Sequence, residues 1–112
     1  MAVYANLFLD QGTDFSSIIS LEGATGGTYG LTGYTIRAQM RKTYTSSRSY
    51  DFVATITNPA SGLCSIEMGS ELTSILKPGR YVYDVEVISP DGIVFRVVEG
   101  QVDVTPRVTR PS

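Results

Sequence analysis

The chain has 112 residues, of which 42% are hydrophobic and 18% charged, with a formal net charge of −2. This length suits one domain with its own core, and the composition is that of a globular protein. Because the sequence holds no histidine and only one cysteine, Cys64, an internal disulfide and the common zinc sites are excluded. The basic residues are scattered, unlike the clustered positive surface of nucleic-acid-binding proteins.

The first residues show no basic segment followed by an apolar one, so we expect no signal peptide. No apolar run approaches the about 18 residues of a membrane span. We therefore expect synthesis in a cytoplasm. Cys64 alternates with Ile66 and Met68, a pattern typical of a small buried core residue rather than a reactive thiol.

Period-two alternation dominates the first half of the chain and predicts strands at residues 3–9, 15–21 and 34–42. In the third of these, Tyr34, Ile36, Ala38 and Met40 share one face. Residues 22–32 carry four glycines and are predicted to form a loop. The hydroxyl-rich residues 43–49 are predicted to form a second loop, which presents Tyr44.

A hairpin follows, with Phe52 and Ile56 facing inward on its first strand, a turn at 58–62 and a return strand at 63–68. Residues 70–76 form the only predicted helix. We expect Ser70 as its N-cap and one apolar face, made by Leu72, Ile75 and Leu76.

The helix leads into a turn at Pro78 and Gly79 and then a strictly alternating strand from residue 80 to 88. This arrangement is typical of the corner before strand F of an immunoglobulin-like sandwich, where a tyrosine hydrogen-bonds back to the corner. Tyr81 is the candidate, with Gly79 beside it. Its strand would bury Tyr83, Val85 and Val87 along with Tyr81.

The last two strands are joined by a turn at residues 89–92. A type I turn with a glycine bulge would place Glu86 opposite Arg96, Val87 opposite Phe95 and Ile88 opposite Val94. The same register would place Val85 opposite Val97 and turn Val98 outward. It would also turn Glu99 toward the core, so we predict a bulge at residues 99–100.

These elements predict an all-β fold, an immunoglobulin-like or fibronectin III-like sandwich of about seven or eight strands with one helical turn before strand F. The sandwich would occupy residues 1–105. Residues 106–112, which hold two prolines, are predicted to form an extended tail.

Asp84 and Glu86 face the same way on one strand and form the only candidate acid and base pair. Arg37, Arg41 and Arg96 should reach them from the neighbouring strands, which favours a salt-bridged surface over a catalytic pair. We therefore expect no enzymatic activity, no catalytic residue and no cofactor or metal. The weaker alternative of a calcium site would use three early loop residues, Asp10, Asp14 and Glu22.

The predicted outward face of the last two strands carries apolar residues beside these charges. Four such side chains suggest a patch that another subunit covers, unless the same chain covers it or the register is wrong by one. The candidate interface residues are Val82, Ile88, Val94, Val98, Arg96, Arg107, Arg110 and Tyr44. An alternative, a carbohydrate-binding module, would use Tyr29, Tyr44 and Tyr50 to stack on sugars.

Three segments taken in order, residues 5–22, 31–41 and 97–104, carry a wider resemblance that covers nearly the whole chain. They are similar to small virion proteins of tailed bacteriophages, in particular to the immunoglobulin-like N-terminal domain of phage baseplate upper proteins. The resemblance implies a non-enzymatic virion component that docks onto tail, baseplate or neck, among many copies of other virion proteins in a symmetric assembly. A capsid decoration protein is the alternative. No binding residue is carried over from that family.

Overall fold

A computed structural model describes residues 3–21 and 30–109 of the chain. These residues form eight strands and one short helix, which confirms the predicted all-β class. The elements are β1 (Val3–Tyr4), β2 (Leu7–Asp10), β3 (Phe15–Ser20), β4 (Thr35–Arg41), β5 (Tyr50–Asn58), β6 (Leu63–Met68), α1 (Ser70–Thr73), β7 (Gly79–Ile88) and β8 (Val94–Thr105). No helix among them is long and apolar enough to cross a bilayer. Most of the predicted glycine-rich loop, residues 22–29, lies outside the described part.

The strands form one continuous sheet in the order β1-β8-β7-β4-β5-β6-β3, with β2 also paired to β8. Strand β5 joins two halves, because its residues 50–52 pair with β4 and its residues 53–58 pair with β6. The sheet therefore curls, and its two halves face each other as the layers of an immunoglobulin-like sandwich. Buried side chains from both halves fill the space between them, including Leu9, Met40, Ile66, Val85 and Val102.

The corner before β7 is fixed by Tyr81, whose hydroxyl donates a hydrogen bond to the carbonyl oxygen of Lys77 at 2.7 Å. Gly79 begins β7 with φ of 136°, a conformation that favours glycine because it has no side chain. The ammonium group of Lys42 lies 4.9 Å from the centre of the Tyr81 ring. The corner therefore joins β4 and β7 as well as ending the helical turn.

The helix is shorter than predicted, and its N-cap is Gly69, not Ser70. The Ser70 backbone N–H instead donates to the Asp14 carboxylate at 2.7 Å, so a distant residue satisfies the helix start. Ile75 is exposed, in contrast to its predicted place on the apolar face. Thr73 is buried in its stead, and its hydroxyl donates to the Thr13 carbonyl at 2.7 Å.

The last hairpin confirms the predicted register next to its turn, with Glu86 opposite Arg96 and Val87 opposite Phe95. The bulge, however, lies between Val85 and Glu86 in the β7 pairing, where Val97 is the extra residue of β8. The predicted bulge at residues 99–100 is therefore wrong by two to three positions. Val85 pairs with Val98, so Val98 points inward and Glu99 already faces out without a second irregularity.

Strands β1 and β2 run parallel to β8 in one register and are interrupted at Ala5 and Asn6. The Ala5 carbonyl oxygen accepts the Tyr83 hydroxyl at 2.6 Å, while the Asn6 side chain accepts the Gln101 backbone N–H at 3.1 Å. Gly100 lies directly beneath Ala5, so close that a Cβ there would overlap the Ala5 carbonyl oxygen. A glycine is therefore required for the first strands to dock.

Candidate functional site

The candidate site is the outer face of strands β4, β7 and β8, which we call the charged face. Alternation along β7 buries Tyr81, Tyr83, Val85 and Val87 and turns the residues between them outward. The charged face carries a shallow groove of about 260 Å³. Its outward lining residues are Gln39, Arg41, Tyr44, Val82, Asp84, Glu86, Arg96 and Glu99.

Ion pairs link the three strands across this face, as the sequence predicted for Arg37 and Arg96. Arg37 Nε lies 2.8 Å from Glu86 Oε1, which joins β4 to β7. Arg96 Nε lies 3.2 Å from Asp84 Oδ2, and its Nη1 lies 4.0 Å from Glu99 Oε1. Because these side chains stay substantially exposed, the pairs contribute little to stability and mainly fix where each charge lies.

Arg41 does not join them, in contrast to the prediction. Its Nη1 donates to the Ser46 carbonyl oxygen at 2.7 Å, and its Nη2 lies 3.4 Å from Gln39 Oε1. Arg41 thereby holds the loop at residues 43–49 against the end of β4. The same loop carries Tyr44, so Arg41 positions the rim of the groove rather than neutralising its acids.

Asp84 has a pKa above its usual value of 3.8, chiefly because burial penalises its charged form. Arg96 lowers that pKa, while the nearby carboxylates of Glu86 and Glu99 raise it further. Three acids thus share the groove with the guanidinium groups of Arg41 and Arg96, of which Arg96 forms the ion pairs with Asp84 and Glu99. A surface carboxylate cluster of this kind is suited to meeting a basic or hydrogen-bonding group on another molecule.

Apolar side chains lie at both ends of the charged face: Val82 pairs with Arg41 and Gln101 at one end, and Ile88 pairs with Val94 next to the last turn. Val82 and Ile88 are half-buried on the charged face, and Val94 is 48% exposed. Val98 does not belong to this patch because it is only 3% exposed and lies in the core. The Val97 bulge explains the correction, since one extra residue reverses the facing of all residues beyond it.

The hairpin tip contributes exposed apolar residues that sequence reasoning did not assign to a surface. Ile93 is exposed, and Phe95 is 39% exposed although it pairs with the fully buried Val87. The only indication of this exposure in the sequence is that Phe95 lies close to a turn.

The tyrosines proposed to stack on sugars do not share one environment. Tyr44 is 77% exposed at the groove rim, whereas the Tyr50 ring packs edge-on against Tyr81 at 6.1 Å between centroids. The Arg48 guanidinium covers Tyr50 from 5.5 Å. Tyr29 lies outside the described residues. Tyr50 is therefore a structural residue of the corner, not part of an open aromatic platform.

The first residues after β8 pack against their own domain. The Arg107 backbone N–H donates to Gln11 Oε1 at 3.1 Å, and the Gln11 Nε2 donates to the Leu76 carbonyl oxygen at 2.9 Å. The Arg107 guanidinium lies over Gly12 and donates to the Thr109 carbonyl oxygen at 2.8 Å. Arg107 thus already has partners within its own chain. Arg110 lies outside the described residues.

The remaining candidates for chemistry have structural roles. Cys64 is buried, and burial raises the pKa of its thiol. Asp10 accepts the Thr105 hydroxyl at 2.6 Å, and Asp14 accepts the Ser70 backbone N–H, while Glu22 lies outside the described residues. Within residues 3–21 and 30–109, no group of three His, Cys, Asp or Glu side chains could hold a metal ion.

No protein-family model matches the sequence, and no curated protein matches it either. Among solved structures, the chain is similar to an internalin-like protein of Listeria monocytogenes, with 16% identity and a TM-score of 0.48 over 93% of this chain and 28% of that one. It is also similar to AggA, the major subunit of aggregative adherence fimbriae type I from Escherichia coli, with 10% identity, a TM-score of 0.42 and 89% of both chains covered.

A third similar structure is a family 123 glycoside hydrolase from Clostridium perfringens, with 14% identity and a TM-score of 0.42 over 94% of this chain and 23% of that one. The chain thus spans less than a third of the internalin-like protein and of the hydrolase. At such identities and TM-scores, the likenesses concern the general β architecture and carry no inference about activity. The immunoglobulin-like description of this chain rests on its own strand order and its tyrosine corner.

Proposed function

We propose that this chain is a non-enzymatic structural subunit of a tailed-phage virion, which docks onto tail, baseplate or neck through its charged face. The observation that carries the proposal is the combination of an ion-paired groove and exposed apolar residues on one surface. Arg37 and Arg96 already hold Glu86 and Asp84 in fixed positions. Tyr44 and Val94 lie exposed around them.

This combination favours binding over catalysis because each of these charges has a partner before any ligand arrives. A general acid or base needs a group free to exchange a proton with substrate. An interface, in contrast, needs a patch with an aromatic or apolar centre and charges placed for specificity. Tyr44 and Val82, which both line the groove, supply the first of these, and the ordered ion pairs supply the second.

The phage assignment is supported by the resemblance of three segments, in order, to small virion proteins. These segments include strands β2, β3 and β4 and most of β8. Quantitative mass spectrometry of purified particles from a lysate of the encoding host tests it. We expect the chain in particles at the copy number of a tail, baseplate or neck protein. Capsid copy number would instead support a decoration protein, and absence from particles would contradict both.

A surface variant tests the docking face separately. Replacing Val82 with glutamate adds charge to the groove without disturbing the core, since Val82 is only half-buried. We expect normal folding and at least about tenfold lower occupancy in particles, the loss that corresponds to about 1.4 kcal/mol. The matched control is Val53→Lys, which adds a charge at an exposed valine on the opposite half of the sandwich, where lysine would face Glu67. Equal occupancy of both variants would contradict docking through the charged face.

A further inference from the structure

Strand β3 forms one edge of the sheet, and within the described residues it pairs only with β6. Natural proteins usually protect such edges with lysine, proline, a bulge or a covering loop, because unpaired backbone groups recruit other strands. β3 has the sequence Phe-Ser-Ser-Ile-Ile-Ser, which contains no charge and no proline, and its pairing with β6 is regular. Within residues 3–21 and 30–109, the edge is therefore open to strand pairing.

The direction of the free backbone groups follows from the hydrogen bonds to β6. The Leu21 backbone N–H donates to the Gly62 carbonyl oxygen at 2.9 Å, in the register that pairs Ile19 with Cys64. Backbone groups alternate in direction along an antiparallel strand. The N–H and C=O groups of Ser16, Ile18 and Ser20 consequently point away from β6, toward the open edge.

The side chains of the same three residues are also exposed, in the order serine, isoleucine, serine. Ile18 is 75% exposed in the middle of this regular strand. Ser16 and Ser20 lie at equal distances on either side of it. The outward surface of β3 is thus the same when read in either direction.

We propose that β3 pairs antiparallel with β3 of a second copy of this chain, around a two-fold axis at Ile18. The axis places Ile18 opposite Ile18 of the second copy and Ser16 opposite Ser20. The free N–H and C=O groups of all three residues then face their counterparts. An apolar pair lies at the centre with a hydroxyl pair on each side, combinations that stabilise antiparallel sheets.

The lack of charge in β3 favours a second copy as the partner of this edge. If β3 carried a charge near the axis, the same charge of the second copy would lie close to it. Like charges placed opposite each other are destabilising. β3 has none, and the nearby Asp14 carboxylate is directed to the Ser70 backbone N–H. Such pairing uses the β3 edge of both copies, so the assembly closes as a dimer instead of growing into a fibre.

The pairing also covers an apolar cleft of about 180 Å³ between β3 and the first strands. Ile19 and Leu21 line it from one side, and Val3, Leu7 and Val98 line it from the other. In the proposed register Ile19 lies opposite Ser17 of the second copy on the inward face. Each copy therefore brings an isoleucine beside the cleft of its partner, which extends the buried apolar surface beyond the strand pair itself.

Sedimentation equilibrium of the full chain between about 1 µM and about 300 µM tests the proposal. We expect a dimer whose dissociation constant rises at least about tenfold in Ile18→Lys and in Ile18→Glu, because like charges then meet at the axis. Mixing the two variants should restore dimers, since opposite charges then meet. Thermal unfolding of both variants should match that of the wild-type monomer because Ile18 is exposed.

The matched control, Val53→Lys, alters an exposed strand valine away from the β3 edge and should leave the dissociation constant unchanged. A second variant, Ile18→Pro, removes the outward N–H without breaking a bond to β6, so it should weaken the dimer while the domain stays folded. A wild-type chain that stays monomeric would overturn the proposal. So would a dimer that Ile18→Lys leaves intact, or a mixture of the charged variants that stays monomeric.

Discussion

The Tyr81 hydroxyl fixes the corner of the sandwich through its hydrogen bond to the Lys77 carbonyl oxygen. Removing it in Tyr81→Phe leaves the Lys77 carbonyl oxygen without its 2.7 Å partner, while the ring still packs against Tyr50. We expect the free energy of unfolding to fall by about 1–2 kcal/mol. Urea unfolding measures this loss, and Tyr44→Phe, which removes an exposed hydroxyl, should change stability by less than about 0.5 kcal/mol. Equal effects of the two variants would contradict the structural role of the corner.

Gly100 is the second residue whose replacement has a definite outcome. A Cβ at this position would overlap the Ala5 carbonyl oxygen, which itself accepts the Tyr83 hydroxyl. We expect Gly100→Ala to lower the free energy of unfolding by about 1–3 kcal/mol, since the first strands must shift. Gly30→Ala is the control because a Cβ on Gly30 would have no atom within 4 Å. A Gly100→Ala variant as stable as the Gly30→Ala control would show that the first strands do not pack as described.

Single residues also show where sequence reasoning succeeded and where it lacked information. Tyr81 and Gly79 were predictable because a turn followed by strict alternation has local causes. The helix cap was not, because Asp14 binds Ser70 from 56 positions away in the chain. The partner of Arg41 was missed for a related reason: the Ser46 carbonyl belongs to a loop, whose path no hydrophobic period defines.

Arg96 joins strand β8 to strand β7 and lowers the pKa of Asp84 on the charged face. Asp84 has a raised pKa, and Arg96 is the main influence that lowers it. We therefore expect the pKa of Asp84 to rise further in Arg96→Gln, as measured by NMR titration of its carboxyl carbon. Arg37→Gln is the control because Arg37 pairs with Glu86 instead. An Asp84 pKa that stays constant or falls in Arg96→Gln would contradict the ion pair.

The same shift gives a pH dependence of stability with a defined sign. Because the folded pKa of Asp84 lies above its usual value of 3.8, the folded state binds the proton more tightly than the unfolded state. The contribution of Asp84 to stability is therefore fully present below pH 3.8 and is lost as the pH rises through the folded pKa. Asp84→Asn should remove this component from the curve of unfolding free energy against pH.

The last hairpin shows how far alternation determines register. Next to the turn, polar and apolar residues alternate, so the pairing of Glu86 with Arg96 could be predicted. At Val97 and Val98 two apolar residues follow each other, and the pattern no longer states which of them faces inward. The structure buries both by placing the bulge there. For this reason the sequence pattern alone places Val98 on the surface and the bulge too late in β8.

The residues that follow β8 pack against the rest of the domain, and truncation can remove these contacts. Deleting residues 106–112 removes the Arg107 backbone bond to Gln11 and the guanidinium that lies over Gly12. We expect a folded domain with about 1 kcal/mol less stability and reduced incorporation into particles. Deleting residues 110–112 alone keeps these contacts and separates the two effects. A variant lacking residues 106–112 that enters particles at normal occupancy would contradict a docking role for this segment.

The overall architecture could be predicted from the sequence because each strand carries its own alternation and each turn its own chemistry. The way in which β5 joins the two halves could not be predicted. Residues 50–56 alternate between inward and outward positions across the point where the partner changes from β4 to β6, so the pattern does not mark the curl. The open edge at β3 likewise emerges only when the strand order is known, since its sequence resembles that of any half-buried strand.

Site-specific photo-crosslinking in assembled particles tests the proposed docking of the charged face onto another virion protein. A benzophenone amino acid at Val82 would lie in the groove, and one at Val53 would lie on the opposite half of the sandwich. We predict a crosslink from position 82 to a tail, baseplate or neck protein and none from position 53. Crosslinks from position 53 alone would contradict docking through the charged face.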